Sequence, residues 1–561
     1  MLEIDKSLKS SIINIQFQIK NQSDKPLSAE MTAPPVSLPS EKGKSALSRM
    51  SESQLWEMQT AYYQAHGVED WGLELTAPAF LTNTVFLGEC YAELILSFLN
   101  EYHAKLDLSE PLYILELGTG SGRFSYQFLT ELSQKLGHFE KLKAVQIKYV
   151  MSDFSEKNCK FWENHAHLKP FIEKGLLDFA HYDPLKSEAL ELRLSKKIIK
   201  ADTVANPLIV LSNGFFDSIP QDAFQVSEKI LNEGLVQLFL KSPEQSIEQP
   251  KIEDVEVITH FKAADLSHYY SNDAYNSILK SYHESLSAKE GQHTFLFPVG
   301  ALDAIEQVKK LSNKGFMVFA SDRALTHLEA NIQMEQLSNH LSGKTLSHCV
   351  NYDILSRYFE STAAKSILTE HDGWPLQTLC AYQLPEDAPL EQLRYVFYNR
   401  LQRMNMLNTL CCVPTHMNDT PEAHVAYWLS YMRVHMSEPA IFAHIGDLLV
   451  PRIASFRPEQ KRELLRLMED SWKHFYYSSG ENNTPFIFSK LYFALKEFEL
   501  CIAALEQTIH WFGDHVALRC FKAEVFAQWG RREEAKAECE KALELEANHE
   551  LAVKLLKKLA T

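Results

Sequence analysis

No two cysteines in this 561-residue chain stand in C-x-x-C spacing, and the nine that occur are scattered. That removes the usual signature of a structural zinc site or a dithiol redox centre. Cys501, Cys520 and Cys539 fall on helical, apolar-facing positions and are expected as buried thiols in a reducing compartment. Cys411, Cys412 and His416 lie close together, but neighbouring cysteines do not readily share one ion and no second ligand pair follows, so no metal is expected. Positive charge is also short: 56 Lys and Arg stand against 73 Asp and Glu, a formal net charge of -17. A surface of that sign does not track a phosphate backbone, so nucleic acid is not an expected partner. No apolar run reaches the ~18 residues that cross a bilayer, so membrane insertion is not expected either. The start, "MLEIDKSLKSSIINIQFQIK", carries Glu3 and Asp5 and no arginine appears before Arg49. That composition fits neither a secretory leader nor a mitochondrial transit peptide. The expected location is the cytoplasm.

What is present is a globular composition, 45% hydrophobic and 23% charged, long enough for roughly three or four domains. Residues 1–50 are rich in Ser, Lys and Pro ("TAPPVSLPSEKGKS") and are expected to form a mobile extension. From Ser51 helical spacing sets in, and "FLGECYAELILSFLNEYHAKL" reads as a strong amphipathic helix. Strands then alternate with helices: "LYILEL", a helix over about 122–135, "QIKYVMSD", a helix through Trp162, "LLDFAHYD" and "PLIVLSN". This alternation predicts an α/β, doubly wound parallel sheet covered on both faces. Further along, "HTFLFPV" and "GFMVFASD" flank a helix at 301–313. The polar stretch 241–254, with two prolines, is expected as a surface loop. The α/β domain is placed at 51–385, a helical linker region at 386–480 and a repeat domain at 481–561. In that last part Ala523, Phe526, Gly530, Ala535, Cys539 and Ala542 occupy positions where paired helices need small or apolar residues, and Ser489, Tyr492, Cys501 and Leu505 hold the matching places 34 residues earlier. This pattern resembles the tetratricopeptide repeat, with "HELAVKLLKKLA" as the capping helix.

The stretch "LYILELGTGSGRFSYQFLTEL" breaks an apolar strand on Gly118, Gly120 and Gly122 before a helix resumes. Glycines there permit positive φ and close approach of backbone to a ligand, next to the free N–H groups of a helix start. The spacing is not the G-x-G-x-x-G of dinucleotide folds. With Glu116 two residues ahead, it resembles motif I of S-adenosylmethionine-dependent methyltransferases. The next strand ends at Asp153, where a carboxylate can accept ribose hydroxyls, and Phe154 beside it is expected in the same site. Asp183 could accept the adenine amino group, with Phe179 or Tyr182 flanking the ring, though an aspartate before Pro184 also reads as an ordinary turn residue. After the fourth strand, "SNGFFDSIPQDAFQV" brings Asn213, Phe215, Phe216 and Asp217 to the sheet's carboxyl edge. An aromatic there could face a sulfonium, while two phenylalanines also suit a core. Asp217 is the candidate proton acceptor, or else a structural aspartate ahead of Ile219 and Pro220. The candidate catalytic set is therefore Asp217, Asn213 and Phe216.

The ordered pieces "LTAPAFLTNTVFLGECYAELI", "ILELGTGSG", "YVMSDFSEKN", "NGFFDSIPQDAFQV" and "SHCVNYDILSRYF" resemble the MidA-like class I methyltransferases over about residues 55–385. That family includes the mitochondrial arginine methyltransferase that helps assemble respiratory complex I. The resemblance implies a class I methyltransferase core, S-adenosylmethionine as cofactor and a protein side chain as substrate. Where the family reads N-E-F-F-D-A-L-P, this chain has Gly214 in place of the glutamate, and its motif I helix has Phe124, Ser125 and Tyr126 in place of an acidic residue. The expected function is methyl transfer to a protein docked by the repeats. A non-catalytic adaptor with a relict pocket and a small-molecule methyltransferase are the alternatives.

Overall fold

The computed structural model describes residues 44–67, 82–241, 250–265, 268–328, 341–342, 345–370, 376–385, 388–403, 421–478 and 483–560. The described residues divide into two compact units, 44–403 and 421–560.

In the first unit, strand β1 (Ser48–Arg49) precedes helix α1 (Gln54–His66) and helix α2 (Val85–Tyr102). Then follow β2 (Leu112–Leu117), α3 (Arg123–Leu136), β3 (Ile147–Asp153), α4 (Glu156–Asn164), β4 (Leu177–His181) and β5 (Leu208–Asn213). Next come β6 (Asp222–Ser227), β7 (Ile230–Leu240), β8 (Val255–Ala263), α5 (Asp273–Ser287), β9 (His293–Phe297), α6 (Val299–Lys309) and β10 (Phe316–Leu325). Helix α7 (Tyr352–Ser361), β11 (Lys365–Leu368) and β12 (Leu376–Gln383) complete the sheet elements.

The main sheet runs β11-β12-β10-β5-β2-β3-β4. Its strands are parallel except β12, which pairs antiparallel with both neighbours. All six residues of β2 are buried, as a central parallel strand covered by helices on both faces requires. The chain leaves β2 toward β3 and β4, then returns to β5 on the other side. The crevice at the carboxyl ends of β2 and β5 is therefore a topological switch point, the usual ligand position in such sheets.

The structure corrects two expectations and adds one assignment. Residues 44–50 do not belong to a mobile extension: β1 pairs with β7, and Met50 is buried in a cluster with Leu55, Trp56 and Val236. The "HTFLFPV" strand, β9, which the sequence pattern left without a sheet, pairs antiparallel with β6 in a second sheet ordered β1-β7-β6-β9, with β8 on β7. Strand–helix alternation gives the direction of a chain but not which edge a strand joins, and that edge was set here by β6 and its aromatic Phe224 against Phe295. The other correction concerns the domain boundary. Helix Glu391–Val396 and the π-helical turn after it pack on α2, where Leu393 is buried and Arg400 pairs with Glu89, so the α/β unit extends past residue 385. Residues 1–43 and 242–249 lie outside the described residues, as do Cys411, Cys412 and His416.

The second unit is helical: α8 (Pro421–Val434), α9 (Pro439–Leu449), α10 (Pro458–Lys473), α11 (Thr484–Leu495), α12 (Phe498–Phe512), α13 (Val516–Trp529), α14 (Arg532–Leu545) and α15 (Glu550–Ala560). The starts of α12 and α14, and of α13 and α15, are each 34 residues apart. Ser489, Cys501 and Leu505 are as buried as their counterparts Ala523, Ala535 and Cys539. Helix α9 packs on α11 through Phe442 and Phe488, with Lys490 paired to Asp447, so this part of the expected linker is continuous with the repeated helices. Cys501, Cys520 and Cys539 are buried, and burial pushes the Cys520 thiol up to about 12 and that of Cys539 to about 11. No helix among the described residues is long and apolar enough to cross a membrane.

Candidate functional site

The glycine loop is built around a buried acid. Glu116, on β2, is 2% exposed, and one of its oxygens accepts from Thr119 Oγ1 at 2.9 Å, from Tyr149 OH at 2.8 Å and from Ser125 Oγ. Burial pushes its carboxyl up to about 7 despite these donors. The Glu116 carboxylate thus lies beneath the loop rather than on a cavity wall.

Above it the loop is tied to β3 from two directions. Thr119 N–H donates to Ser152 O at 3.0 Å, and Ser152 N–H returns to Thr119 Oγ1 at 3.1 Å. Gly120 N–H donates to Asp153 Oδ2 at 3.1 Å, and the buried Trp162 indole donates to Gly120 O at 3.0 Å. Gly118, Gly120 and Gly122 all adopt positive φ, with Gly122 at the N-cap of α3. At Gly118 a second reason excludes a side chain, because a Cβ there would lie 2.5 Å from Phe215 Cδ2.

A cavity of about 590 Å3 opens at this switch point. It is lined by Gly118, Asp153, Phe154, Asn158 and Asp183 at and after the ends of β2, β3 and β4, by Gly214, Phe215 and Ser218 after β5, and by Trp56, Gln59 and Tyr63 of α1. Asp153 is 5% exposed and already accepts three hydrogen bonds: from Ser155 N–H on Oδ1 (2.8 Å), and from Gly120 N–H and Asn158 Nδ2 on Oδ2 (both 3.1 Å). Burial raises its pKa above the usual carboxylate range. Asp183 accepts from Leu185 N–H at 3.0 Å and lies 3.5 Å from Lys186 Nζ.

The structure brings Gly118, Asp153, Phe154 and Asp183 into the lining of one cavity and keeps others out of it. Phe179 packs against Trp162 in the interior and Tyr182 is buried in the main core, so neither lines the cavity; Phe154 and Leu185 do. Phe216 and its neighbour Phe215 both pack in the same core, and of the two only Phe215 also lines the cavity. Asn213 accepts from Tyr91 OH at 2.9 Å behind the sheet edge and does not line the cavity.

Asp217 also lies one layer back. It is 5% exposed and accepts from Ser347 Oγ at 2.7 Å and from Ser218 Oγ at 3.0 Å, and it is Ser218 that reaches the cavity wall. Asp217 N–H donates to Asp322 Oδ1 at 3.3 Å, and Tyr352 OH donates to Asp322 Oδ2 at 2.6 Å. Burial raises the pKa of both acids, and the Asp217 charge raises that of Asp322 further. Burial first, and then the Asp217 charge, push the Tyr63 hydroxyl up to about 12. Three contributors were missed from sequence: α1 as a wall, Ser218 and Asn158. Asn158 follows Asp153 by five residues on the first turn of α4, which a helix-start reading of "DFSEKN" can place at the same edge.

The cavity suits an S-adenosyl nucleoside. Its size falls in the usual range for small-ligand sites, Gly118 leaves room for close approach, and its lining combines acidic acceptors with aromatic rings. Residues 94–351 match one family model. Its description is "Putative S-adenosyl-L-methionine-dependent methyltransferase", and the matched segment is just under half of the chain. S-adenosylmethionine, the cofactor expected from the glycine loop, is the one that names this family. No curated protein matches the chain. Among solved structures, an uncharacterized superfamily protein from Burkholderia thailandensis is 10% identical, covering 70% of this chain and 96% of its own, with a TM-score of 0.39. A member of that superfamily from the same organism, described as a "likely methyl transferase" bound to S-adenosyl-homocysteine, is 10% identical, covering 71% and 97%, with a TM-score of 0.40.

Proposed function

We propose that the protein is an S-adenosylmethionine-dependent methyltransferase of the MidA-like kind, acting on a protein side chain, with the tetratricopeptide-like helices docking that substrate or a partner. The observation that carries the reading is the cavity at the switch point, which Gly118, Asp153, Asp183, Phe215 and Ser218 line together. The cofactor, when bound, supplies a methyl group on an activated sulfonium. The chain's contribution is then alignment and exclusion of water. Gly118 admits the ligand backbone-close, Asp153 and Asp183 take hydrogen-bond donors of the nucleoside, and Phe215 offers an aromatic face. A nucleophile that starts with a proton gives it to Ser218 Oγ as the Ser218 proton passes to Asp217 Oδ1, 3.0 Å away. The 34-residue helical period supports a docking role, since stacked helix pairs present an extended surface that a small substrate does not need.

Calorimetric titration with S-adenosylhomocysteine, on wild type and Asp153→Ala, tests the pocket. Binding lost in the variant supports the reading, and no binding by folded wild type ends it. Labelled methyl donor added to cell lysate with the enzyme then tests the protein substrate: label in protein supports it, and label only in small molecules reverses it.

A further inference from the structure

The hydrogen-bond inventory of Asp153 leaves a nucleoside diol one acceptor short. An ionised carboxylate offers about four acceptor positions. Gly120 N–H and Asn158 Nδ2 fill those on Oδ2, and Ser155 N–H takes one on Oδ1. One position remains, on Oδ1, enough for one hydroxyl.

The other acceptor is beside it. Asn158 is 3% exposed, lines the cavity, and its Oδ1 has no hydrogen-bond partner. Its orientation is set by Asp153: a carboxylate cannot donate, so the amide must turn Nδ2 toward it and Oδ1 away. Gly67 stands close to that oxygen, and a Cβ on it would lie 3.2 Å away, tighter than an ordinary contact. A buried acceptor without a donor is unfavourable, and a ligand that supplies the donor removes that penalty.

We infer that Asn158 Oδ1 and Asp153 Oδ1 divide the vicinal diol of the ribose between them, one hydroxyl each, making Asn158 a ribose-binding residue that distinguishes the diol from a deoxy sugar. This rests on the cofactor reading above. It predicts that both hydroxyls matter separately, because each has its own acceptor. Loss of either leaves one buried acceptor unpaired.

The test is calorimetric titration of the full chain with S-adenosylhomocysteine and its 2′-deoxy and 3′-deoxy analogues, on wild type and Asn158→Ala. For wild type, each deoxy analogue is expected to bind roughly ten- to a hundredfold more weakly than the parent. Asn158→Ala is expected to weaken the parent by a similar factor, yet to bind one of the two deoxy analogues almost as tightly as it binds the parent. That non-additivity identifies the hydroxyl that Asn158 holds. If Asn158 merely positions Asp153, the variant weakens all three ligands by one common factor, and the proposal falls. It falls equally if Asn158→Ala leaves affinity unchanged. Should the variant not fold, the wild-type series still decides, since a single sensitive hydroxyl overturns the division of the diol. Absence of S-adenosylhomocysteine binding by folded wild type removes the cofactor reading itself, an outcome distinct from the others.

Discussion

Gly118 and Phe215 close on each other across the switch point, so that a Cβ on Gly118 would lie 2.5 Å from Phe215 Cδ2. The two residues leave adjacent strands, β2 and β5, and they face the same cavity. Gly118 also has φ of +62°. Gly118→Ala therefore meets a strained backbone and a displaced ring together. The expected result is a loss of roughly 1–3 kcal/mol in stability and weaker S-adenosylhomocysteine binding by tenfold or more. Thermal unfolding and calorimetric titration measure the two; unchanged affinity would show that Phe215 does not shape the ligand site.

Glu116 makes the α/β unit sensitive to pH. Its folded pKa of about 7 lies above the ordinary 4.5, so the protonated form is favoured by folding. The associated stability is complete below about pH 4.5 and is lost as pH rises through about 7, by about 3 kcal/mol in all. Glu116→Gln cannot ionise and should lose that part of the slope. Urea midpoints measured between pH 4.5 and 8 for both proteins should converge toward the alkaline end or cross. Parallel curves would show that Glu116 is ionised throughout.

Much of this was legible in the chain, and the failures have physical causes. The four strands that end at Leu117, Asp153, His181 and Asn213 stand out as apolar runs between helical patterns, because a central parallel strand is buried on both faces. The glycines and Asp153 follow from strand ends. Which of two adjacent phenylalanines lines the cavity does not: Phe215 and Phe216 have the same chemistry and both pack in the core, and only the turn after Gly214 brings Phe215 to the cavity as well. Helix α1 as a cavity wall was equally hidden, since Trp56, Gln59 and Tyr63 reach the site through long-range packing, with Gln59 Nε2 bound to Ser218 O at 2.7 Å. Asp217 was found as a residue, but its distance from the cavity wall required the fold.

Asp217 and Ser218 can be separated from ligand binding. Among the described residues neither hydrogen-bonds to Asp153 or the glycine loop; their side-chain links run to Ser347, Asp322 and Gly214. Asp217→Asn and Ser218→Ala should each retain S-adenosylhomocysteine affinity within about threefold while methyl transfer to lysate protein falls by roughly 10²–10⁴-fold, the usual contribution of a proton acceptor. Retained transfer in both variants would mean that the nucleophile arrives without a proton to lose.

The helical unit permits the complementary experiment. Ala535 and Ala542, on α14, are fully buried, and Ala535 packs in a cluster with Ala523, Phe526 and Cys539. Helices brought this close leave no volume for a longer side chain. Ala535→Leu is expected to destabilise the unit by about 1–3 kcal/mol, visible as a lowered melting transition. S-adenosylhomocysteine affinity should not change, because every described residue that lines the cavity belongs to the other unit. If the repeats dock the substrate, methylation of lysate protein should fall with this variant while the affinity for S-adenosylhomocysteine holds. Methylation that survives melting of the repeats would assign substrate recognition to the α/β unit alone.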